Sequence, residues 1–461
     1  MSDPRRARAT ATVSGPPGAF TARTPAARTA AAGVRALASL GAAALLLTLA
    51  PAPALAHGEW LRQDLAAADR VGLVLESGAL RLDEESAGDT GVRTYRSPGA
   101  EPRYAGLAIL PEQPLDAPTD TVDVRVRTDG RAEDVLTELR GVRSDGMWTE
   151  WHPTGEEGGR VALPRDVSRV QLRVEVDGNR TAVTGLYLRR LESSGGEPGG
   201  SGADAPEEGE TAEPAAPFSA RLFATRIGLV GSSTANGHRV RENDYFAALP
   251  SRRGLASRGE GEYTVRVCTT GALGPQGTGD TEGHRPRCAY LPVWDVGPWN
   301  IRDDHWNARR ESWRDLDRGR PQAQAAYAEG HNGGLDGFGR RVRNPAGIDL
   351  ADGAFRDGLR LPTNGWVRVD YLWTGEYLRH ARIGTDSRYD PVTVRRGPGT
   401  QYAEVGLAAH SAHVDVACQT SGEQVRGPGG SANTWYRIGE EHYVPAVFAE
   451  GGADAPDCAE L

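Results

Sequence analysis

The chain is 461 residues long with a formal net charge of −9, room for about three domains at roughly 150 residues each. Every one of its 53 basic residues is Arg, which, beside abundant Ala, Gly and Pro, reflects GC-rich coding and marks no basic patch. The acidic balance argues against nucleic acid or an anionic membrane held through bulk charge.

Residues 1–56 read as an export signal. Arg5, Arg6, Arg8, Arg23, Arg28 and Arg35 precede an apolar run from Ala38 to Ala50, and Ala54-Leu55-Ala56 supplies a small-x-small cleavage site. The run falls short of the roughly 20 apolar residues that span a bilayer, and the pair Arg5-Arg6 lacks the hydrophobic followers of a twin-arginine signal. Cleavage after Ala56 removes six Arg and one Asp, taking the net charge from −9 to −14. The product is expected to be secreted, extracellular or wall-associated, with no stable membrane insertion.

Residues 57–192 alternate with period 2. Val122, Val124 and Val126 face one way and Asp123, Arg125 and Arg127 the other, and Val170, Leu172, Val174 and Val176 repeat the pattern. Half-buried antiparallel strands in a β-sandwich are expected. In DGMWTEW, Trp148 and Trp151 fall on opposite faces of a regular strand, one in the core and one exposed, where it packs an edge or stacks on sugar. The patterning and this element resemble the accessory module that precedes catalytic domains in some secreted wall amidases. Residues 193–217 hold six acids, no basic residue and no Val, Leu, Ile or aromatic until Phe218. They read as a flexible acidic linker that lets the two halves reach different points on a surface.

From 218 to 378, strand-like segments alternate with Gly, Asn and Pro turns, and helical pattern is confined to stretches such as RPQAQAAYAEG and DLADGAFRDGL. A small β-barrel is expected. The four cysteines form two separated pairs without a C-x-x-C, so in an exported chain Cys268–Cys288 and Cys418–Cys458 are expected as disulfides.

The order STANGH, AALPS, WDVGPWN, NPAGIDLADGAF and NGWVRVDYLW resembles the double-psi β-barrel of expansins and of the rare lipoprotein A (RlpA) type. The resemblance implies a groove across the barrel that takes peptidoglycan or another wall glycan. It places Asp295 at the D-x-G-P aspartate and Asp349 at the IDL aspartate, the candidate catalytic pair, with Asp295 as general acid, its pKa raised by apolar neighbours. Trp294 and Trp299 flank Asp295, and the STANGH turn adds Asn236 and His238 as candidate ligand contacts. Lytic members carry His directly after the paired alanines, where Leu249 stands here. Each aspartate has an equally good structural role, Asp295 in a turn and Asp349 at a helix start.

A long insertion after Trp299 carries Trp306, Trp313, Tyr327 and Phe338, as a lid over the groove or as packing for the insertion itself. His305 and His331 lie near Asp303, Asp304 and Asp336, but no spacing matches a zinc or calcium loop, so no metal is expected. With no Gly-rich fingerprint after a strand, no cofactor is expected either.

From 383 to the end, V-x-VR-x-GPGT-x-Y-x-x-VG, WY-x-IG and YV-x-x-x-F resemble a bacterial SH3 domain, which implies binding of wall peptide or glycan. Val392, Val394, Val405, Val414 and Val416 are expected in its core. Tyr402, Trp435 and Tyr443 either line a groove beside Arg395 or, for Trp435, fill the barrel.

The expected architecture is all-β and multidomain: a sandwich, a double-psi β-barrel with a long insertion, and an SH3-like barrel. The expected function is non-catalytic, expansin-like binding or loosening of peptidoglycan, two weak sites on one chain giving avidity. A lytic transglycosylase and a secreted protein-binding module are the alternatives.

Overall fold

The computed structural model describes residues 54–83, 92–94, 103–193, 215–278 and 281–461. The charged and apolar parts of the expected export signal and most of the expected linker lie outside the described residues. No helix among them is long and apolar enough to cross a membrane.

The first region is β throughout. Two long strands, Gln113–Asp129 and Gly158–Val176, organise an 11-stranded sheet. The first half of Gly158–Val176 pairs with Gln113–Asp129, and its second half pairs with Val135–Val142 and Arg103–Ile109. Register shifts between Ala162 and Arg169 mark the bend that lets one sheet fold over a single apolar core. The alternation holds: Val122, Val124, Val126, Val170, Leu172, Val174 and Val176 are buried, and Arg125 and Arg127 are exposed. Asp123, Arg173 and Glu175 are the exceptions, buried where they pair with Arg160 and Arg189, with Glu138, and with Arg252. Leu55, inside the expected cleavage motif, is only 1% exposed in this core, and its N–H donates to the Pro114 carbonyl at 2.8 Å.

The central region closes into a barrel of six strands: β1 (Phe218–Arg226), β2 (Ala247–Leu249), β3 (Thr264–Leu273), β4 (Cys288–Val296), β5 (Ala346–Leu350) and β6 (Gly365–Tyr371). Neighbours run β2-β5-β1-β6-β3-β4, and a β2–β4 pairing shuts the ring. Two pairs, β1–β5 and β2–β4, are parallel and the others antiparallel. Closure covers the edge of β4 from Val293 to Val296 and leaves its first residues, Cys288–Tyr290, free to take a further strand. Of the two expected helical stretches, Gln322–Glu329 is an α-helix, α1, stopped by Gly330 at φ 74°, and Ala354–Gly358 forms a single wide turn.

The C-terminal strand Glu404–Ala408 adds in parallel to β4. A Cβ on Gly406 would stand 1.7 Å from the Cys288 carbonyl oxygen, so only glycine permits that approach. Val392–Arg395, His442–Pro445, Gly430–Gly439 and Cys418–Gly427 continue the sheet, while His380–Ile383 pairs with His413–Asp415 and Ala449–Gly451 in a second small one. The five expected core valines are all buried. Both expected disulfides are present, Cys268–Cys288 within the β3–β4 pair and Cys418–Cys458 tying the last turn to its sheet.

The sandwich does not stand apart from the barrel as the linker suggests. Trp151 is fully buried in the barrel's core cluster, and its indole N–H donates to the Leu255 carbonyl at 3.1 Å. Arg140 and Glu262 form an ion pair at 2.6 Å with both side chains 3% exposed. Burial alone would raise Glu262, but Arg140 and hydrogen bonds from Ser257 hold it down at about 2. Glu150 accepts from the indoles of Trp306 and Trp373 at 2.5 and 3.0 Å and from Asn307 at 2.7 Å. A buried carboxylate with this many donors is satisfied only while sandwich, insertion and barrel stay together.

Candidate functional site

The two aspartates singled out by motif meet on one barrel rim, and the strand register explains how. Ala248 of β2 is paired with Asp295 of β4 on one side and with Asp349 of β5 on the other. Residues directly opposite one another share a face of the sheet, and strands lie about 4.8 Å apart, so the two backbones are roughly 10 Å apart. Only a methyl group stands between them. The gap opens into a cleft of about 530 Å³ whose wall includes Thr225, Arg226, Asp295, Trp299, Phe338 and Asp349.

The carboxyl groups differ in environment. Asp295 is 3% exposed and accepts from the Ala235 N–H at 2.8 Å. Asp349 is half-buried and accepts from the Thr225 hydroxyl. Burial pushes Asp349 up to about 7, the Thr225 hydroxyl opposes this, and the neighbouring Asp295 adds to it. A large part of the Asp349 population therefore carries a proton at neutral pH and can donate a hydrogen bond. Asp349 is therefore a candidate for the proton-bearing role that the motif reading gave to Asp295.

Trp299 is the one flanking tryptophan on the cleft. Trp294, its expected partner, points to the other face of β4, as alternation along a strand requires. There it is 4% exposed and its indole N–H donates to the Glu260 carbonyl at 2.7 Å. Asn236 is 1% exposed and spends its side chain on the Ala256 carbonyl at 3.1 Å and the Thr234 hydroxyl at 2.7 Å. His238 is held by Asp244 at 2.7 Å and packs on Trp294 with ring centroids 4.6 Å apart. Neither borders the cleft. Leu249 is fully buried in the barrel core.

Trp306 is no lid: it is fully buried, stacked on Tyr371 at 5.2 Å and tied to Glu150. Trp435 is likewise core, 1% exposed, with its indole N–H on the Glu423 carbonyl at 2.9 Å. Tyr402 is 41% exposed and Tyr443 half-buried. Both border Arg395, which donates to the carbonyl of Tyr402 at 3.1 Å and pairs in register with Tyr443.

Sequence reasoning missed Thr225, Arg226, Arg340 and Asn344, all on the cleft. Thr225 and Arg226 end β1, beside Asp349 and Leu350 in the parallel β1–β5 register. Arg340 and Asn344 come from the insertion, which returns to the rim just before β5. Among the described residues no group of three or more His, Cys, Asp or Glu is placed to hold a metal ion.

Fold and site together define an all-β protein built round a closed barrel with a carboxyl-lined cleft on its rim. Residues 218–370 match a sequence family described as a domain of unknown function, DUF8814. That span begins with β1 and ends within β6, so the matched unit is the barrel with its insertion and every cleft residue named above. No curated protein matches the chain. Among solved structures, a β-1,2-glucanase from Parabacteroides distasonis aligns at 12% identity over 52% of this chain and 32% of its own, with a TM-score of 0.17. The alignment spans about a third of that chain's length, and at that TM-score it carries no argument about fold or function.

Proposed function

We propose that this is an exported, expansin-like protein that binds or loosens cell-wall glycan through the barrel cleft. The observation that carries the reading is the Asp295–Ala248–Asp349 register, which sets an acceptor and a proton-bearing carboxyl on either side of an open cleft. Such a pair grips a chain of sugar hydroxyls by accepting from one and donating to the next. Ring closure with two parallel strand pairs supports the double-psi assignment of the barrel. The small C-terminal sheets, with Tyr402, Arg395 and Tyr443 at one surface, support an SH3-like second wall contact. Two disulfides fit an oxidising compartment.

Buried Leu249 and tethered His238 leave the cleft without the histidine of lytic relatives, which favours binding without cleavage. The raised pKa of Asp349 favours a second reading, lytic transglycosylation, in which Asp349 protonates the glycosidic oxygen and the sugar's own hydroxyl attacks. Incubating the full folded chain with peptidoglycan sacculi, then measuring pelleted protein and released fragments by mass spectrometry, separates them. Binding without fragments supports the first reading. Anhydro-muropeptides that vanish with Asp349→Asn establish the second, and protein that neither pellets nor cuts refutes both.

A further inference from the structure

Trp299 is held in an unusual way. Its backbone sits in the left-handed region at φ 63°, a conformation costly for a bulky residue and found where the surroundings over-determine it. Its indole N–H donates to Asn344 Oδ1 at 3.0 Å, and its carbonyl accepts from Arg340 Nη2 at 2.6 Å. Arg340 is itself fixed by Asp336, which is 1% exposed, through a 2.6 Å hydrogen bond from Nε. The ring is backed by two apolar clusters, one holding Phe223 and Trp366, the other Ala323 and Ala326 of α1 with Val342. Asn344, Arg340 and Val342 all belong to the insertion, as does Phe338, which lines the same cleft.

We propose that the insertion builds an aromatic subsite, with Trp299 as a fixed platform for the apolar face of a pyranose ring and Asn344 as its positioning residue. This rests on the reading of the cleft as a wall-glycan site and narrows it: the cleft takes the glycan strand and not the peptide of the wall. A pyranose carries C–H groups on one face and hydroxyls around its edge. A half-buried indole beside two carboxyls offers surface for the first and partners for the second. A peptide in the same cleft would need backbone amide partners along an open strand edge, and the strand residues at the centre of the cleft, Ala248 and Asp349, are each already paired on both sides.

The test measures binding of a soluble, peptide-free β-1,4-linked N-acetylglucosamine tetramer to the full chain by calorimetry, with pelleting on whole sacculi in parallel. Trp299→Ala should weaken tetramer binding about tenfold or more, the equivalent of about 1.4 kcal/mol, and Trp299→Phe, which keeps a ring, should weaken it less. Asn344→Ala should weaken binding in the parent and add nothing in Trp299→Phe, which has no indole N–H to position. An Asn344→Ala loss that persists in Trp299→Phe would assign its effect to the Ala346 N–H it also accepts from at 3.2 Å, and would overturn the positioning role. Sacculi that pellet the protein while the tetramer does not bind, or binding that Trp299→Ala leaves unchanged, overturns the subsite and leaves the wall reading standing. Failure to bind either ligand overturns both.

Discussion

Replacing Trp151 by Ala tests whether the sandwich and the barrel are one folding unit. The side chain is fully buried in the barrel's core cluster although it comes from the sandwich. Truncating a buried Trp costs about 3–5 kcal/mol through lost burial and the cavity left behind. The guanidinium groups of Arg140 and Arg173 lie 4.2 and 4.3 Å from the ring, and losing two such contacts adds about 1 kcal/mol each. The Leu255 carbonyl keeps a partner in Arg173 at 3.4 Å, so no orphaned acceptor enlarges the loss. The expected destabilisation is about 5–7 kcal/mol, a large part of the roughly 5–15 kcal/mol that holds a native domain. Guanidinium unfolding followed by circular dichroism and tryptophan fluorescence should show the whole transition moving to lower denaturant. Trp148→Ala, which loses one half-buried ring beneath Arg140 at 4.0 Å, should cost about 1 kcal/mol. Two separate transitions in the parent protein, or a Trp151→Ala loss below about 1 kcal/mol, would refute the single-unit account.

Other consequences can be measured on the same protein. The Asp349 carboxyl, raised to about 7, binds its proton more tightly folded than unfolded, so its contribution to stability is full below its unfolded pKa and is lost as pH rises through about 7. Glycan binding that uses this proton should weaken over the same range, and Asp349→Asn should flatten the profile. His152, His305 and His413 are pressed down to about 3, by burial above all, so stability should fall as pH drops from about 6.5 towards 3, where the unfolded chain takes protons the folded one refuses. Removing Cys268–Cys288 or Cys418–Cys458, which close separations of 20 and 40 residues, should cost about 3 and 4 kcal/mol by the chain-entropy argument, read by chemical denaturation with and without reductant. Because Leu55 fills the sandwich core, N-terminal sequencing of exported protein should find the mature end at or before Leu55; a cut after Ala56 would contradict that packing.

What the sequence made legible followed from local rules. Period-2 alternation picked out the buried valines of the sandwich and of the C-terminal region, cysteine spacing together with the expectation of export paired the cysteines, and motif order singled out Asp295 and Asp349, which share one rim. What it missed depends on which face a neighbour occupies. Trp294 sits next to Asp295 in sequence, yet the pleat of β4 sends it to the opposite side. Trp306 reads equally as lid or as packing until Glu150, distant in sequence, receives its indole N–H. The acidic run at 193–217 signals a linker by composition, but composition is silent about the Arg140–Glu262 pair that joins what the linker separates. Arg340 and Asn344 lie in a charged insertion with no motif, and only the return of that insertion to the barrel rim brings them to the cleft.

The most direct test of the central claim is quantitative co-sedimentation of the full chain with peptidoglycan sacculi, comparing the parent with Asp295→Ala/Asp349→Ala, which removes both the acceptor and the donor. The double variant leaves the Ala235 N–H and the Thr225 hydroxyl without their acceptors, so a thermal melt first establishes that it is folded. If the cleft holds the glycan strand, the bound fraction at limiting sacculi falls about tenfold, leaving only what the C-terminal region retains. Undiminished binding by a well-folded double variant would contradict the account and move the wall contact away from the barrel cleft.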